Sequence, residues 1–297
     1  MIETPTAVHE GQVLSMNDEL PAPPPADSGL IQEVYYPKIY LNGFPKSGLH
    51  LSVLMAMCLV EGPAHDNPWA GTYQKRGWSK DWMPDWRIYK HLSRIRDNGY
   101  MKGHTGYRDD INTFLWQIGA AVGFVYRDLR DVAVSMSYHV TSGDDTNFSH
   151  DDKHLFTSLP THEDVIEACI VGVADYPGLI ERWEEYAPWL DQEWVFELQY
   201  ERLRHEPLQM AMNWIAYVYQ RTGEANGVKI DMSQETFVKA AQGMVKAMGM
   251  TSVSPTYRKG EVGGWVNHFT PRLKDAFMDM GGGDWLIHLG YEDGHDW

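Results

Sequence analysis

Lys38-Ile39-Tyr40-Leu41-Asn42-Gly43-Phe44-Pro45-Lys46-Ser47-Gly48, running on into Leu49-His50-Leu51-Ser52-Val53-Leu54-Met55, is the stretch that decides the fold. A short apolar run meets a polar turn bounded by glycines at 43 and 48, and helical periodicity follows from Leu49 to Val60. This reads as strand, tight turn, helix. The unit recurs twice. Ala121 to Tyr126 leads into a turn at 127–130 and a helical segment from Asp131 to Val140. Trp194 to Gln199 leads into a turn at 200–206 and a helical segment from Pro207 to Gln220. Pro207 suits a first helical turn, where its missing N–H costs nothing. Strands alternating with helices predict an α/β fold: a single-domain parallel β-sheet flanked by helices. Ligands of such sheets bind beyond the carboxyl ends of the strands, so the three turns should converge on one site.

Outside these units the pattern is plainer. Residues 1–35 are polar and contain Pro21-Ala22-Pro23-Pro24-Pro25, which predicts a flexible N-terminal arm ahead of a domain at 36–297. Thr161-His162-Glu163-Asp164 resembles a capping box opening a helix, with Pro177 expected to break or kink it. The glycine-rich tail from 251 onward, with Gly260, Gly263, Gly264 and Gly281-Gly282-Gly283, reads as ordered loop more than regular structure.

The 297 residues are 43% hydrophobic and carry a net charge of −16, which disfavours broad contact with nucleic acid or anionic membrane. An anionic ligand must then be held by a local concentration of donors working against the overall field. Twelve Trp and sixteen Tyr either line a pocket or fill an aromatic-rich core. Cys58 and Cys169, in apolar helical-looking stretches, read as two buried free thiols rather than a disulfide framework or a metal site. No basic segment followed by an apolar run opens the sequence, and no stretch approaches 18 apolar residues, so a cytoplasmic, unanchored protein is expected.

The turns carry the chemistry. Glycines let 43–48 turn tightly into a helix whose first N–H groups form an anion cradle, with Lys46 beside it. It is not a Walker A loop: Leu49 stands where that lysine belongs, which argues against a P-loop kinase. Arg127 leaves a strand end, and Ser135 lies about two helical turns on; a guanidinium forks onto phosphate, and a hydroxyl adds a donor. The plainer reading has Arg130 and Asp131 as surface charges and Ser135 as a packing residue. Tyr200 leaves the third strand and either lies against a base or fills the core. Arg258-Lys259-Gly260 makes a cationic loop, or only a solvated basic turn. In Lys102-Gly103-His104 the imidazole suits proton abstraction from a hydroxyl, and the lysine suits developing negative charge.

Together and in this order, from about Tyr40 to Thr270, these segments resemble the sulfotransferases that use 3′-phosphoadenosine 5′-phosphosulfate (PAPS). Phe44-Pro45-Lys46-Ser47-Gly48 resembles the family's 5′-phosphosulfate loop, and the block from Tyr126 to Ser135 its 3′-phosphate block. Tyr200-Glu201-Arg202-Leu203 before Pro207 resembles the strand whose tyrosine contacts adenine. Arg258-Lys259-Gly260 with Gly263 and Trp265 resembles the loop that closes over the nucleotide. The resemblance implies a P-loop NTPase-like architecture, PAPS as sulfuryl donor, 3′-phosphoadenosine 5′-phosphate (PAP) as product, and no metal. It implies that Lys46, Ser47, Gly48, Leu49 and His50 hold the 5′ end, that Arg127, Ser135, Arg258, Lys259 and Gly260 hold the 3′-phosphate, and that Tyr200 faces adenine. Lys102-Gly103-His104 is similar to the family's Lys-Thr-His segment, which makes His104 the implied base and Lys46 and Lys102 its catalytic partners.

Departures qualify the match. The family follows Lys-Ser-Gly with two hydroxyl residues and Trp; here stand Leu49, His50 and Leu51, which leaves a catalytically silent relative as the alternative. Of the family's dimer motif only Thr270 is kept, so dimerisation by that route is not expected. Trp69, Tyr73, Trp78, Trp82, Trp86 and Tyr89, interleaved with Lys75, Arg76, Lys80 and Arg87, form the expected lining for a small-molecule or glycan acceptor.

Overall fold

The computed structural model describes residues 36–60, 85–142, 153–249 and 260–297. The proposed arm at 1–35, the aromatic stretch from Trp69 to Trp82, the side chains of Trp86 and Arg87, and Arg258 and Lys259 lie outside the described residues.

Four strands form one sheet: β1 (Lys38–Gly43), β2 (Gly99–Gly103), β3 (Ala120–Tyr126) and β6 (Phe196–Gln199). Their order is β2-β1-β3-β6, and every neighbouring pair is parallel. The register puts Asn42 beside Gly103, Gly43 beside Val125 and Tyr126 beside Gln199, so the carboxyl ends of all four strands finish along one edge.

Successive side chains on a strand point to opposite faces, and here both faces are covered. From β1, Tyr40 enters one core while Ile39 and Leu41 enter the other; from β3, Val122 and Phe124 go one way and Val125 the other. Every residue of β3 is buried, which is why its sequence is an unbroken apolar run. One face packs under α3 (Asp109–Gln117), α4 (Leu129–Thr141), α6 (His162–Val171) and α7 (Leu179–Glu184). The other packs under α1 (Leu49–Met57), α9 (Pro207–Asn226) and α10 (Gln234–Gly249). Trp183, Trp189 and Trp214 are fully buried, so these three belong to the core rather than to a pocket wall.

Several local expectations hold. Thr161 and Asp164 make a reciprocal capping box at the start of α6. Pro207 opens α9, and Gly227 closes it in the left-handed conformation.

Others are corrected. The segment expected as a turn at 200–206 is a helix, α8 (Tyr200–His205), with Glu201 in its first turn and Arg202, Arg204 and His205 in its last, charges that complement the helix dipole. α6 ends at Val171 with Gly172 at φ 93°, ahead of Pro177, which lies instead in a two-stranded hairpin of β4 (Gly172–Val173) and β5 (Tyr176–Pro177). The tail expected as loop carries α11 (Pro271–Asp279) and α12 (Gly282–His288). Gly282 there packs against Phe277, leaving no room for a Cβ. Cys58, the residue just past α1, is exposed rather than buried, while Cys169 is buried as expected. Arg130 and Asp131 are buried, not surface charges.

Two described helices complete the chain order: α2 (Asp85–Leu92) before β2, and α5 (Lys153–Thr157) before α6. No helix among the described residues is long and apolar enough to cross a membrane.

Candidate active site

The turn after β1 is anchored at its tip. The Phe44 ring is buried edge-on against Trp183 and Tyr186, and its N–H donates to the Val125 carbonyl at 3.1 Å. Ser47 N–H closes the turn onto the Phe44 carbonyl, also at 3.1 Å. Lys46 sits at φ 70° and Gly48 at φ 98°. Only glycine takes the second position at no cost, and a Cβ there would lie 2.4 Å from Cδ2 of Tyr200. Gly48 caps α1 without a side-chain bond, and no acidic residue occupies the first turn. The Leu51 N–H turns back onto the Gly48 carbonyl at 2.9 Å, and no side chain or carboxylate neutralises the positive dipole end of α1, which suits an anion. Ser47 Oγ is buried without a hydrogen-bond partner, an orphan that an anionic oxygen would satisfy.

His104 follows β2 and points back to this turn: its Nδ1 lies 2.6 Å from the Gly43 carbonyl oxygen. A carbonyl only accepts, so Nδ1 carries the proton and the neutral ring presents Nε2 as a base. Burial, and then the nearby Lys46 and Lys102 charges, push its pKa down to about 4 against the upward pull of the Gly43 bond. Crowding around His50, followed by the charges of Lys102, His104 and Lys46, pushes that ring down to about 4 as well, although the residue as a whole is exposed. His50 and His104 thus both lie within reach of Lys46 and Lys102, and the charges that shift the two histidines are all cationic in a chain of net charge −16. The segment behind them is rigid. Asn42 exchanges two 2.8 Å bonds with the Thr105 backbone, Tyr186 donates to the His104 carbonyl at 3.1 Å, and Trp189 donates to the Thr105 carbonyl at 2.9 Å.

Arg127, one residue past β3, is 8% exposed. Its guanidinium lies over the Tyr200 ring at 4.5 Å, and that ring in turn packs on Gly48. Gly48, Tyr200 and Arg127 therefore form one contiguous set joining the first and second turns through the third. Arg127 Nη2 donates to Asp131 at 3.0 Å and to the Glu261 carbonyl; Arg127 Nε is buried without a partner. Ser135 is half-buried on α4, two helical turns further on. Gly260 takes φ 63° and precedes the Glu261 carbonyl that Arg127 reaches.

The sequence did not point to the scaffold around Arg127. Asp131 accepts from the N–H groups of Gly263 and Trp265 at 2.9 and 2.8 Å. Arg130 is paired with Asp128 and Glu292 and stacked between Trp265 and Trp297 at 3.8 and 4.5 Å. The signal was present only as charge at 128, 130 and 131 beside a strand end.

A groove of about 630 Å³ lies elsewhere, against α9 and α10, lined by Ile215, Tyr219, Met232 and Phe237 among others; none of the predicted site residues lines it. Among the described residues no cluster of three or more His, Cys, Asp or Glu is arranged to hold a metal.

A parallel sheet covered on both faces, with a glycine-bounded turn entering a helix at its first strand, is a P-loop-like α/β architecture. A family model described as the sulfotransferase domain matches residues 111–282, more than half of the chain, and the chain belongs to that family of sulfuryl-transfer enzymes. The match includes Arg127, Ser135, Tyr200 and Gly260 and begins after His104. Mouse sulfotransferase SULT7A1 complexed with PAP is similar in structure, with a TM-score of 0.54 and 18% identity over 82% of each chain. Retinol dehydratase in a complex with retinol and PAP gives a TM-score of 0.50 and 13% identity over 82% of this chain and 80% of that one. These likenesses show the fold. No curated protein matches the chain in sequence.

Proposed function

We propose that this enzyme takes the sulfuryl group of PAPS to a hydroxyl or amine of a small-molecule or glycan acceptor, with His104 as general base. The observation that carries the reading is the 2.6 Å bond from His104 Nδ1 to the Gly43 carbonyl, which leaves Nε2 basic beside Lys46 and Lys102. PAPS, when bound, supplies the sulfuryl group and a phosphate leaving group. The uncapped positive end of α1 and the orphaned Ser47 hydroxyl suit its 5′ end, with Lys46, Ser47, Gly48, Leu49 and His50 around it. Lys46 would neutralise charge growing on the leaving oxygen, and Lys102 would steady the reacting centre. Arg127, with its unpartnered Nε, and Ser135 would hold the 3′-phosphate together with Arg258, Lys259 and Gly260. Tyr200 would line the adenine end.

His104 Nε2 would take the acceptor proton as the bond to sulfur forms, passing through an imidazolium that the departing negative charge offsets. A cytoplasmic setting completes the reading, supported by two unpaired thiols.

A catalytically silent nucleotide binder is the second reading, favoured by Leu49 and His50, which stand where the family places two hydroxyl residues; Leu49 is buried in the core instead. Turnover of labelled PAPS over an acceptor panel, with EDTA present, separates the two. Wild type should turn over, and His104→Ala should lose about 10²–10⁴-fold while binding PAP almost as tightly. Unchanged turnover in His104→Ala removes His104 from its role; binding of ATP with magnesium in preference to PAP would favour a kinase.

A further inference from the structure

We propose that Asp131 is a positioning residue for the nucleotide: its buried carboxylate locks Arg127 and the backbone after Gly260 into one arrangement before any ligand arrives. The inference rests on the reading of Arg127 as a nucleotide contact and goes beyond it by naming what aims that contact.

Asp131 stands in the first turn of α4, and its side chain is 3% exposed. Oδ2 accepts from Arg127 Nη2 at 3.0 Å and from Gly263 N–H at 2.9 Å; Oδ1 accepts from Trp265 N–H at 2.8 Å. Both oxygens are engaged, by donors from two segments more than 130 residues apart in sequence. The same Arg127 nitrogen also reaches the Glu261 carbonyl, so arginine and loop are tied at two points. Nearby carboxylates have other duties. Asp128 holds Arg130, and Glu292 holds Arg130 from the C-terminal side. Those contacts, with the Trp265 and Trp297 stacking on Arg130, would dock the C-terminal segment without Asp131. What Asp131 adds is a single carboxylate that holds the Arg127 guanidinium and two amides of the 260–265 segment at once.

The sign of the effect discriminates between roles. As a bare negative charge beside a cation, Asp131 would weaken anion binding, and removing it would tighten the complex. As a positioning group, it removes rotamer freedom from a long side chain and fixes the donors of Arg127 in advance, so removing it loosens the complex. Three charge-assisted bonds of 2.8–3.0 Å on one carboxylate favour the second effect.

The test uses the full chain with PAP titrated calorimetrically and PAPS kinetics alongside. Asp131→Asn should raise the PAP Kd and the PAPS KM at least tenfold, with kcat at saturating PAPS within threefold of wild type. Asp131→Glu keeps the charge but displaces the carboxylate, and should weaken PAP in the same direction; this variant covers the case in which Asp131→Asn fails to fold. Glu292→Gln, which loosens the neighbouring tie to Arg130, should leave the PAP Kd within twofold. Asp131 variants that bind PAP as tightly as wild type, or more tightly, overturn the proposal. So does equal weakening by Glu292→Gln, which would reduce the effect to docking of the C-terminal segment. Failure of the wild-type protein to bind PAP at all is a different result: it removes the nucleotide reading and this inference with it.

Discussion

Acidifying the free protein tests the base assignment at its root, because burial and two lysines hold His104 near 4 where an ordinary histidine titrates at 6.5. At pH 5.5 a ring of pKa 4 is about 97% neutral, whereas one of 6.5 is about 9% neutral. The Nδ1 proton on the Gly43 carbonyl and the free Nε2 should therefore persist well into the acid range. Linkage fixes the sign for stability. The unfolded chain takes up a proton near 6.5 and the folded chain not until about 4, so folding free energy is lost as pH falls through that window and is intact above it. The full shift corresponds to roughly 3 kcal/mol, an upper limit because the half-buried ring keeps some access to water. The assay is an NMR titration of histidine Cε1–H resonances in the ligand-free protein, with His104 assigned by the resonance missing in His104→Gln. The expected trace is flat from pH 8 to about 5; urea unfolding of His104→Gln should lose less stability than wild type between pH 7 and 4.5. A His104 midpoint between 6 and 7 would refute the reasoning, since the cationic, desolvated surroundings would then not be acting on the ring.

Two further substitutions probe the scaffold. Gly48→Ala must accept φ 98° and a Cβ 2.4 Å from the Tyr200 ring, so it should cost about 2–4 kcal/mol in urea unfolding and weaken PAP; a loss below 1 kcal/mol would mean that Tyr200 yields freely. Asn42→Ala removes both 2.8 Å bonds to Thr105 and should cost about 1–3 kcal/mol, with kcat falling more than PAP affinity because Thr105 follows His104; equal effects on both would contradict that division.

Much of the candidate site was legible because its residues sit at strand ends that announce themselves locally. Gly43 to Gly48, Arg127 and Tyr200 each follow a short apolar run, and in an all-parallel sheet such positions meet along one edge. Lys102 and His104 were read from their residue types, but the strand beneath them was not. Gly99-Tyr100-Met101-Lys102-Gly103 carries two glycines and a lysine, a weak strand by propensity, and it is extended because β1 offers it partners from Lys38 to Asn42.

Local chemistry alone determined the alternation of strand and helix, the glycine-bounded turn, the capping box at Thr161 and the proline start of α9, because each depends on neighbours within a turn or two. Contacts distant in sequence decided the rest. The tautomer of His104 depends on a carbonyl 61 residues away, and the burial of Asp131 on amides more than 130 residues away. The helices after 271 likewise become definite only where Leu273, Phe277 and Leu286 find the core. A charge pattern such as Arg127-Asp128-Leu129-Arg130-Asp131 looks solvated in sequence; whether it stays in water is settled by what folds over it, here Trp265, Trp297 and Glu292.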